Sequence, residues 1–366
     1  MKDSCVNEKE SGNRFLYYSE GLACIGVVFI HCTFPSWPGA LICGLCRFAV
    51  PLFFLVSGYY LFRNDTNEEN QIQRILYKIR HISFLLLLSV LLYILWNFFC
   101  EFLKSGYVAA LQLLGQTFQP SKLLPLLILN DFSDIGGHLW FLEALLYTYL
   151  IFGAVICLKK GSRTCHLFCW RTVVILLGIH VLARMIFALA GIDQIFEIPV
   201  YIWFRNWLFF ALPFVIAGYL IRQNENSIMQ KVSVKHVIML LAIGTVLTVA
   251  ESLLVYMLTR DDRELYLGSF LMIFSMFFYA LRFPHHSTIP WIETIGRKYL
   301  LFVYITHFAV SEAAGILMEK SGLDQIRLLN YVKPIMVAAI TVSGAVLCEK
   351  TVHSIKQLKT ERRKSR

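Results

Sequence analysis

Long apolar runs alternate with short polar segments along most of this chain. Charged and turn residues divide the runs into ten segments, at 15–33, 40–62, 82–103, 139–158, 172–191, 202–221, 237–258, 265–283, 299–318 and 331–348. A helix needs about 20 mainly apolar residues, each rising about 1.5 Å, to cross the hydrocarbon core of a bilayer. The pattern therefore predicts an all-α, polytopic integral membrane protein with about ten transmembrane helices.

Two stretches fit this pattern less well. Lys333 and Pro334 shorten the apolar core of the tenth segment. Residues 104–138 contain two moderately apolar pieces, VAALQLLGQTF and LLPLLILN, which are too interrupted for a span. We expect a long loop with short surface helices there, and a re-entrant segment is the alternative.

The composition supports the membrane class. Of the 366 residues, 57% are hydrophobic and 16% are charged, and the mean hydropathy is +0.61. A soluble domain carries about 25% charged residues. The first fourteen residues are polar, and no small-residue cleavage site follows the first apolar run, so we expect this run to remain as a signal anchor.

Lysine and arginine are distributed unevenly between alternate loops. With a cytoplasmic N-terminus, 24 of the 34 lie on the cytoplasmic side, 7 lie on the other side and three lie within spans. Because positive residues accumulate in cytoplasmic loops, both termini are predicted to be cytoplasmic. We accordingly divide the chain into a transmembrane domain, residues 1–350, and a basic cytoplasmic tail, residues 351–366.

Charge and cysteine placement disfavour two classes of function. The net charge of +10 is dispersed over loops and tail, which suits anionic lipid headgroups better than nucleic acid. Most of the ten cysteines lie in apolar runs, where a thiol behaves as a small hydrophobe. Cys165, His166 and Cys169 share a loop but lack a fourth ligand, so we predict no metal site.

Polar side chains inside the spans come to a common depth. His31 lies sixteen residues into the first span, about 24 Å from its start, and Arg47 enters the second span from the outer side. The outer ends of later spans carry further polar groups, namely His138, Trp140, Glu143, Arg205 and Glu251. Such residues can snorkel or form structural pairs. A group at one depth that includes a histidine favours a reaction or binding site over that alternative.

These residue types indicate a polar pocket without naming its reaction. A histidine can remove a proton from a sugar hydroxyl, because its unperturbed pKa lies near neutrality. An arginine can neutralise a carboxylate, a phosphate or a developing oxyanion.

Five motifs follow one another along the chain. They are EGLACIGVVFIHC in the first span, RFAVPLFFLVSGYYLF at 47–62 with the basic run RILYKIR after it, HLWFLEALLYTYL at 138–150, FFALPFVIAGYLI at 209–221 and IGRKYLLFVYITHF at 295–308. In this order they resemble the membrane-bound acyltransferase 3 family, whose members modify cell-surface sugars. The resemblance covers nearly the whole chain, although each motif alone is apolar and unspecific.

The resemblance implies a membrane O-acyltransferase. It would move an acyl group, acetyl in the first instance, from cytoplasmic acyl-CoA to a hydroxyl of an extracytoplasmic glycan or lipid-linked sugar. His31 would be the general base, and Arg47 would orient the donor or the acyl carbonyl. The acceptor or transfer path is assigned to His138, Trp140, Glu143, Arg205, Tyr304 and His307, although a helix-packing role fits His307 equally well. We expect no bound cofactor, acyl-CoA as donor substrate, membrane lipid as partner and a bacterial cytoplasmic membrane location.

The sequence departs from the family pattern at two positions. Relatives usually carry Arg or Lys eleven residues before the histidine, where this chain has Glu20. Arg14 lies six residues earlier on another helical face and does not obviously replace that cation. Tyr299 also occupies a position that is often Ser in relatives.

Two other functions remain open at this point. The first is a transporter or flippase for a lipid-linked sugar or a small metabolite, although no clear internal repeat of the kind common in transporters is visible. The second is a non-catalytic sensor or assembly partner of the same fold, which Glu20 favours.

Overall fold

The structure is a computed structural model that describes residues 12–62, 68–158, 168–259, 263–286 and 289–364. It is 84% helical, which confirms the predicted all-α polytopic architecture. Within the described residues, seven helices are long and apolar enough to cross a membrane, and three shorter apolar helices accompany them. The cytoplasmic placement of both termini stays a prediction.

The helices, in chain order, are α1 Arg14–His31, α2 Ser36–Cys46, α3 Ala49–Tyr59, α4 Glu68–Ser105, α5 Tyr107–Thr117, α6 Pro120–Leu129, α7 Trp140–Leu158, α8 Trp170–Leu189, α9 Val200–Phe204, α10 Leu212–Gln223, α11 Glu225–Lys231, α12 Val234–Thr259, α13 Leu267–Arg282, α14 Pro290–Thr294, α15 Leu300–Lys320 and α16 Arg327–Lys364. Two π turns, Trp207–Ala211 and Ile295–Tyr299, lead directly into α10 and α15. A short hairpin pairs β1 Gln194–Ile195 antiparallel to β2 Ile198–Pro199.

Every predicted span coincides with described helix, but two spans are interrupted. The 40–62 segment breaks at residues 47–48, between α2 and α3. The 202–221 segment breaks at residues 205–206, between α9 and the first π turn. Hydropathy does not register these breaks, because the residues on both sides of each one stay apolar.

Several boundaries also differ from the sequence prediction. The helix of the ninth span begins at Pro290, nine residues before the predicted start at 299, because the π turn joins α14 to α15. The final helix, α16, runs through position 350 into the predicted tail as far as Lys364. The 104–138 stretch contains two short helices, α5 and α6, and α6 ends at Asn130 in the left-handed conformation with φ 60°.

The chain forms two compact units. Unit 1 consists of Met1–Ala49 and Val234–Arg366, and unit 2 consists of Val50–Ser233. Unit 1 therefore contains α1, α2 and α12–α16, whereas unit 2 contains nearly all of α3 and the helices from α4 to α11.

In unit 1, α1 meets α14 and the following π turn at backbone contact. A Cβ atom on Gly21 would overlap the Ile292 carbonyl oxygen, and one on Gly296 would overlap the Tyr17 carbonyl oxygen. This reciprocal approach requires glycine on both elements, as in closely packed membrane helices. It fixes where α1 lies within its unit.

In unit 2, α3 and α10 also approach to backbone contact through a glycine on each helix. A Cβ atom on Gly58 would overlap the Val215 carbonyl oxygen, and one on Gly218 would overlap that of Leu55. Gly58 belongs to the Ser-Gly-Tyr motif, and Gly218 belongs to the Gly-Tyr-Leu motif. Completely buried phenylalanines fill the core of this unit, namely Phe54, Phe152, Phe210 and Phe214.

Candidate functional site

The residues predicted for the site divide between the two units. Unit 1 contains His31, Arg47, Tyr304 and His307, and unit 2 contains His138, Trp140, Glu143 and Arg205.

Hydrogen bonds hold the N-terminal end of α1 within unit 1. Asn13 caps the helix through its side-chain oxygen and donates from Nδ2 to the Ala280 carbonyl at 2.7 Å. Arg14 donates from Nε and Nη2 to the Glu293 carboxylate at 3.0–3.2 Å. The pair is partly exposed, and its two-point geometry specifies the orientation of the helix that ends in His31.

His31 is the last residue of α1 and lies against α15. Its ring centroid is 5.2 Å from that of His307 and 5.8 Å from that of Phe308. Tyr304 lies one turn before His307, with 6.2 Å between the ring centroids. The structure thus brings three of the predicted residues, His31, Tyr304 and His307, to one place.

The orientation of His307 can be assigned from its partner. The ring is buried, and Nδ1 lies 3.0 Å from the Val303 carbonyl oxygen. A carbonyl oxygen only accepts, so Nδ1 carries the hydrogen and a neutral His307 keeps its lone pair on Nε2. His307 therefore packs between helices and also presents a basic nitrogen, which unites the two roles considered from sequence.

Arg47 lies at the break that follows α2. Its backbone N–H donates to the Gly44 carbonyl at 3.1 Å, which tightens the end of the helix. Its guanidinium Nε atom is buried. The structure places Arg47 in the same unit as His31.

Glu20, the departure from the family pattern, is partly buried on α1. Within the described residues, its carboxylate makes no hydrogen bond or ion pair. Arg14 does not compensate for it, because Arg14 is engaged by Glu293. At the other departure, the Tyr299 hydroxyl donates to Glu349, which also accepts from Lys298 Nζ at 3.0 Å.

In unit 2, an aromatic frame surrounds His138 and Arg205. The buried His138 ring meets the Tyr93 ring edge to face, with 4.8 Å between centroids. The Arg205 guanidinium carbon lies 5.2 Å from the Trp140 ring centroid and 4.7 Å from that of Tyr201. These distances permit cation–π attraction, which holds the cation at the helix break.

Both carboxylate oxygens of Glu143 lie within hydrogen-bond distance of donors in this unit. Asn130 Nδ2 donates to one carboxylate oxygen at 2.7 Å. The single hydrogen of the Tyr147 hydroxyl is shared between the other carboxylate oxygen at 3.0 Å and the Leu127 carbonyl oxygen at 2.8 Å. Asn130 also accepts the Trp207 backbone N–H at 2.8 Å through Oδ1. Asn130 therefore ties the end of α6 both to Glu143 on α7 and to the start of the first π turn, next to the break at Arg205.

A comparison with known families now identifies the class of protein. Residues 14–349 match the acyltransferase domain of the acyltransferase 3 family, which is nearly the whole chain. The chain belongs to the acyltransferase 3 family. Membership indicates acyltransferase activity in general, with an acyl donor, an acyl acceptor and a membrane setting.

One curated relative of this acyltransferase 3 protein carries a different name. A serine/alanine racemase of Enterococcus gallinarum is 25% identical over 363 aligned residues, which cover 91% of this chain and 45% of the relative. The chain thus spans about half the length of that relative. No solved structure matches the chain significantly.

Sequence reasoning did not single out several polar residues that the acyltransferase 3 fold uses. Asn130 was hidden in a moderately apolar stretch, although an Asn after a helix is a common left-handed cap. His180 is buried on α8 and donates from Nδ1 to the Phe204 carbonyl at 3.0 Å, just before the break. An intramembrane histidine is a signal in itself, and it would have pointed to this position.

A further cluster lies where α3 and α10 end in unit 2. Arg222 Nη1 donates to the Tyr59 hydroxyl at 2.8 Å and to Glu225 at 2.6 Å, and Tyr59 donates to the same carboxylate oxygen at 2.8 Å. Tyr59 completes the Ser-Gly-Tyr motif. The motif therefore combines a glycine for close packing with a tyrosine that anchors the helix end.

Glu251, which sequence reasoning also noted, has a structural role. Its carboxylate accepts the backbone N–H of Gly268 at 2.9 Å in the first turn of α13. Within the described residues, no three His, Cys, Asp or Glu side chains come together as metal ligands. Cys165 and His166 lie outside the described residues.

Proposed function

We propose that this protein is a membrane O-acyltransferase. It moves an acyl group, acetyl in the first instance, from cytoplasmic acyl-CoA to a hydroxyl of an extracytoplasmic glycan or lipid-linked sugar. Family membership supports the reaction class, and the positive-inside charge pattern supports the direction of transfer.

The observation that carries this proposal is the placement of His31. It ends α1 5.2 Å from His307, whose Nε2 atom is the basic one. The carboxyl end of a helix favours a positive charge, so a proton taken up by His31 is stabilised there. A second imidazole beside it can accept or donate a hydrogen bond as that charge appears.

In the proposed reaction, His31 removes the proton from the acceptor hydroxyl. The oxygen attacks the carbonyl carbon of the thioester, the carbon–sulfur bond breaks, and the thiolate takes the proton from His31 as it leaves. Arg47 stabilises the negative charge that develops on the carbonyl oxygen. Trp140 and Arg205 of unit 2 stay predicted acceptor-binding residues, because an aromatic face and a planar cation suit polyhydroxylated rings.

The test uses purified full-length protein in nanodiscs with labelled acetyl-CoA. We expect the wild type to hydrolyse or transfer the label, and His31→Ala to lower that rate by about 100-fold or more. His236→Ala changes an exposed histidine on α12 and serves as the matched control. Unchanged transfer by a folded His31→Ala protein would exclude the proposed base.

A second candidate function is a carrier for a small amino acid. The relative with which 91% of this chain aligns is named a serine/alanine racemase, so a small amino acid is the metabolite to test. The discriminating measurement is uptake of labelled L-serine into proteoliposomes that lack acetyl-CoA. Uptake without any acyl transfer would favour the carrier over the transferase.

A further inference from the structure

Glu20 is the seventh residue of α1, about 9 Å along the helix axis from Arg14. Its carboxylate is partly buried and makes no hydrogen bond or ion pair within the described residues. Ionisable side chains within membrane helices are expensive and commonly mark sites that bind a substrate or an ion. Glu20 thus differs from Glu143, whose two oxygens both accept hydrogen bonds.

Two cations, on α1 and on the π turn that contacts it, are paired with carboxylates other than Glu20. Arg14 pairs with Glu293 at 3.0 Å, and Lys298 pairs with Glu349 at 3.0 Å. Arg297 follows Gly296, which touches α1, but its side chain is exposed. In the described part of unit 1, no lysine or arginine forms an ion pair with Glu20.

Glu20 shares a helix face with His31. The two residues are eleven positions apart, which is about three turns at about 3.6 residues per turn. Cys24 lies between them on this face, with its Sγ atom 3.9 Å from the Leu300 carbonyl of α15. Seven residues beyond Leu300, His307 meets His31. One continuous face of α1 therefore leads along α15 from Glu20 to the histidine pair.

We infer that Glu20 binds a primary ammonium group of a small substrate, as carried by an α-amino acid or an aminoacyl group, on the His31 face of α1. A carboxylate at low dielectric attracts an ammonium group and repels phosphates and carboxylates. Eleven residues at about 1.5 Å each place Glu20 about 16 Å from His31 along the helix axis, so the ammonium group is held at a subsite apart from the reacting histidine. The inference rests on the proposed function only for the path that leads on to His31, and the binding step can be measured without turnover.

The experiment measures equilibrium binding to the purified full-length protein in nanodiscs. The probes are labelled L-serine, N-acetyl-L-serine, which lacks the ammonium group, and a seryl thioester of coenzyme A. We expect L-serine or the seryl thioester to bind and N-acetyl-L-serine not to bind. Preference between the two binding probes distinguishes a free amino acid from an aminoacyl donor.

Variants then isolate the charge of Glu20. Glu20→Gln and Glu20→Arg should weaken binding by about 10- to 100-fold, as expected for loss of a charge-assisted hydrogen bond. Glu20→Asp should keep measurable binding. Glu319→Gln removes an exposed carboxylate elsewhere in unit 1 and should leave the affinity unchanged. Size-exclusion profiles confirm that each variant is folded.

The outcomes separate this inference from the proposed function. Equal binding by Glu20→Gln and wild type, equal binding of N-acetyl-L-serine and L-serine, or no binding of any amino compound overturns the inference. His31→Ala should keep the binding and lose the acyl transfer. Binding that depends on Glu20 without acyl transfer in the wild type would leave the inference standing and reject the transferase.

Discussion

The two units provide different hydrogen-bond partners for a glutamate, Glu143 being buried and Glu20 partly buried. In unit 2, Glu143 accepts hydrogen bonds from Asn130 and Tyr147, and Asn130 also holds the Trp207 backbone. In unit 1, Glu20 makes no such bond within the described residues. A satisfied carboxylate stabilises its fold, whereas an unsatisfied one costs stability and is available to a ligand. The same residue type is therefore structural in one unit and a binding candidate in the other.

Both units are otherwise built alike. Each joins a motif-bearing helix to a partner helix through two glycines at backbone contact, and each secures the end of that pair with an arginine–glutamate interaction. The difference at Glu20 is thus not a consequence of looser construction in unit 1. It lies in the hydrogen-bond partners offered to one side chain.

The largest expected effect comes from breaking the Glu143 network. Asn130→Asp keeps a residue that tolerates the left-handed conformation, but it places two carboxylates together and should lower the free energy of unfolding by about 3 kcal/mol or more. The measurement is thermal unfolding of the detergent-purified protein.

A double variant provides the control for that change. In Asn130→Asp with Glu143→Gln, the aspartate can accept from Trp207 and from the new amide, while the glutamine oxygen accepts from Tyr147. We expect most of the lost stability to return, because every buried donor again has an acceptor. Additive losses in the double variant would contradict this network.

The next effect tests the construction that the two units share. Gly21→Ala in unit 1 and Gly58→Ala in unit 2 should each destabilise by about 2 kcal/mol, because the added methyl group must push two backbones apart. Gly178→Ala on α8 is the matched control, since a Cβ atom there meets nothing within 4 Å. The control should be neutral or slightly stabilising, because alanine favours helix more than glycine does. Similar melting temperatures for all three variants would argue against the close contacts.

The smallest effect sharpens the contrast between the two glutamates. Glu20→Gln should raise the free energy of unfolding by about 1 kcal/mol, because it removes a charge that the fold leaves unsatisfied. Glu143→Gln should leave stability unchanged or lower it slightly. Thermal unfolding without added substrate gives the sign, and a destabilised Glu20→Gln protein would mean that Glu20 has a structural partner.

Much of the fold could be predicted from the sequence, but its discontinuities could not. The apolar segments and the short helices of 104–138 are confirmed, since span length depends on local hydropathy. The breaks at residues 47–48 and 205–206 were missed because their flanks are apolar. At the second break, bonds to distant residues also stabilise the local structure. Asn130, for instance, accepts the Trp207 N–H across 77 positions.

In the candidate site, too, the sequence indicated individual residues and the structure showed how they are arranged. Motif order indicated His31 and His307 individually, and the structure pairs their rings. Glu20 was visible as a departure, yet only the Arg14–Glu293 pair established that the neighbouring cation is already engaged. Roles for Arg47, His138, Trp140, Arg205 and Tyr304 in binding or catalysis stay predictions.

The sequence by itself determined that this is an all-α membrane protein of the acyltransferase 3 family, because bilayer thickness imposes a length and polarity that are read one segment at a time. Only the tertiary structure decided which polar side chains are satisfied. Hydrogen bonds depend on distances of about 3 Å between residues far apart in the chain, and neither hydropathy nor motif order contains those distances.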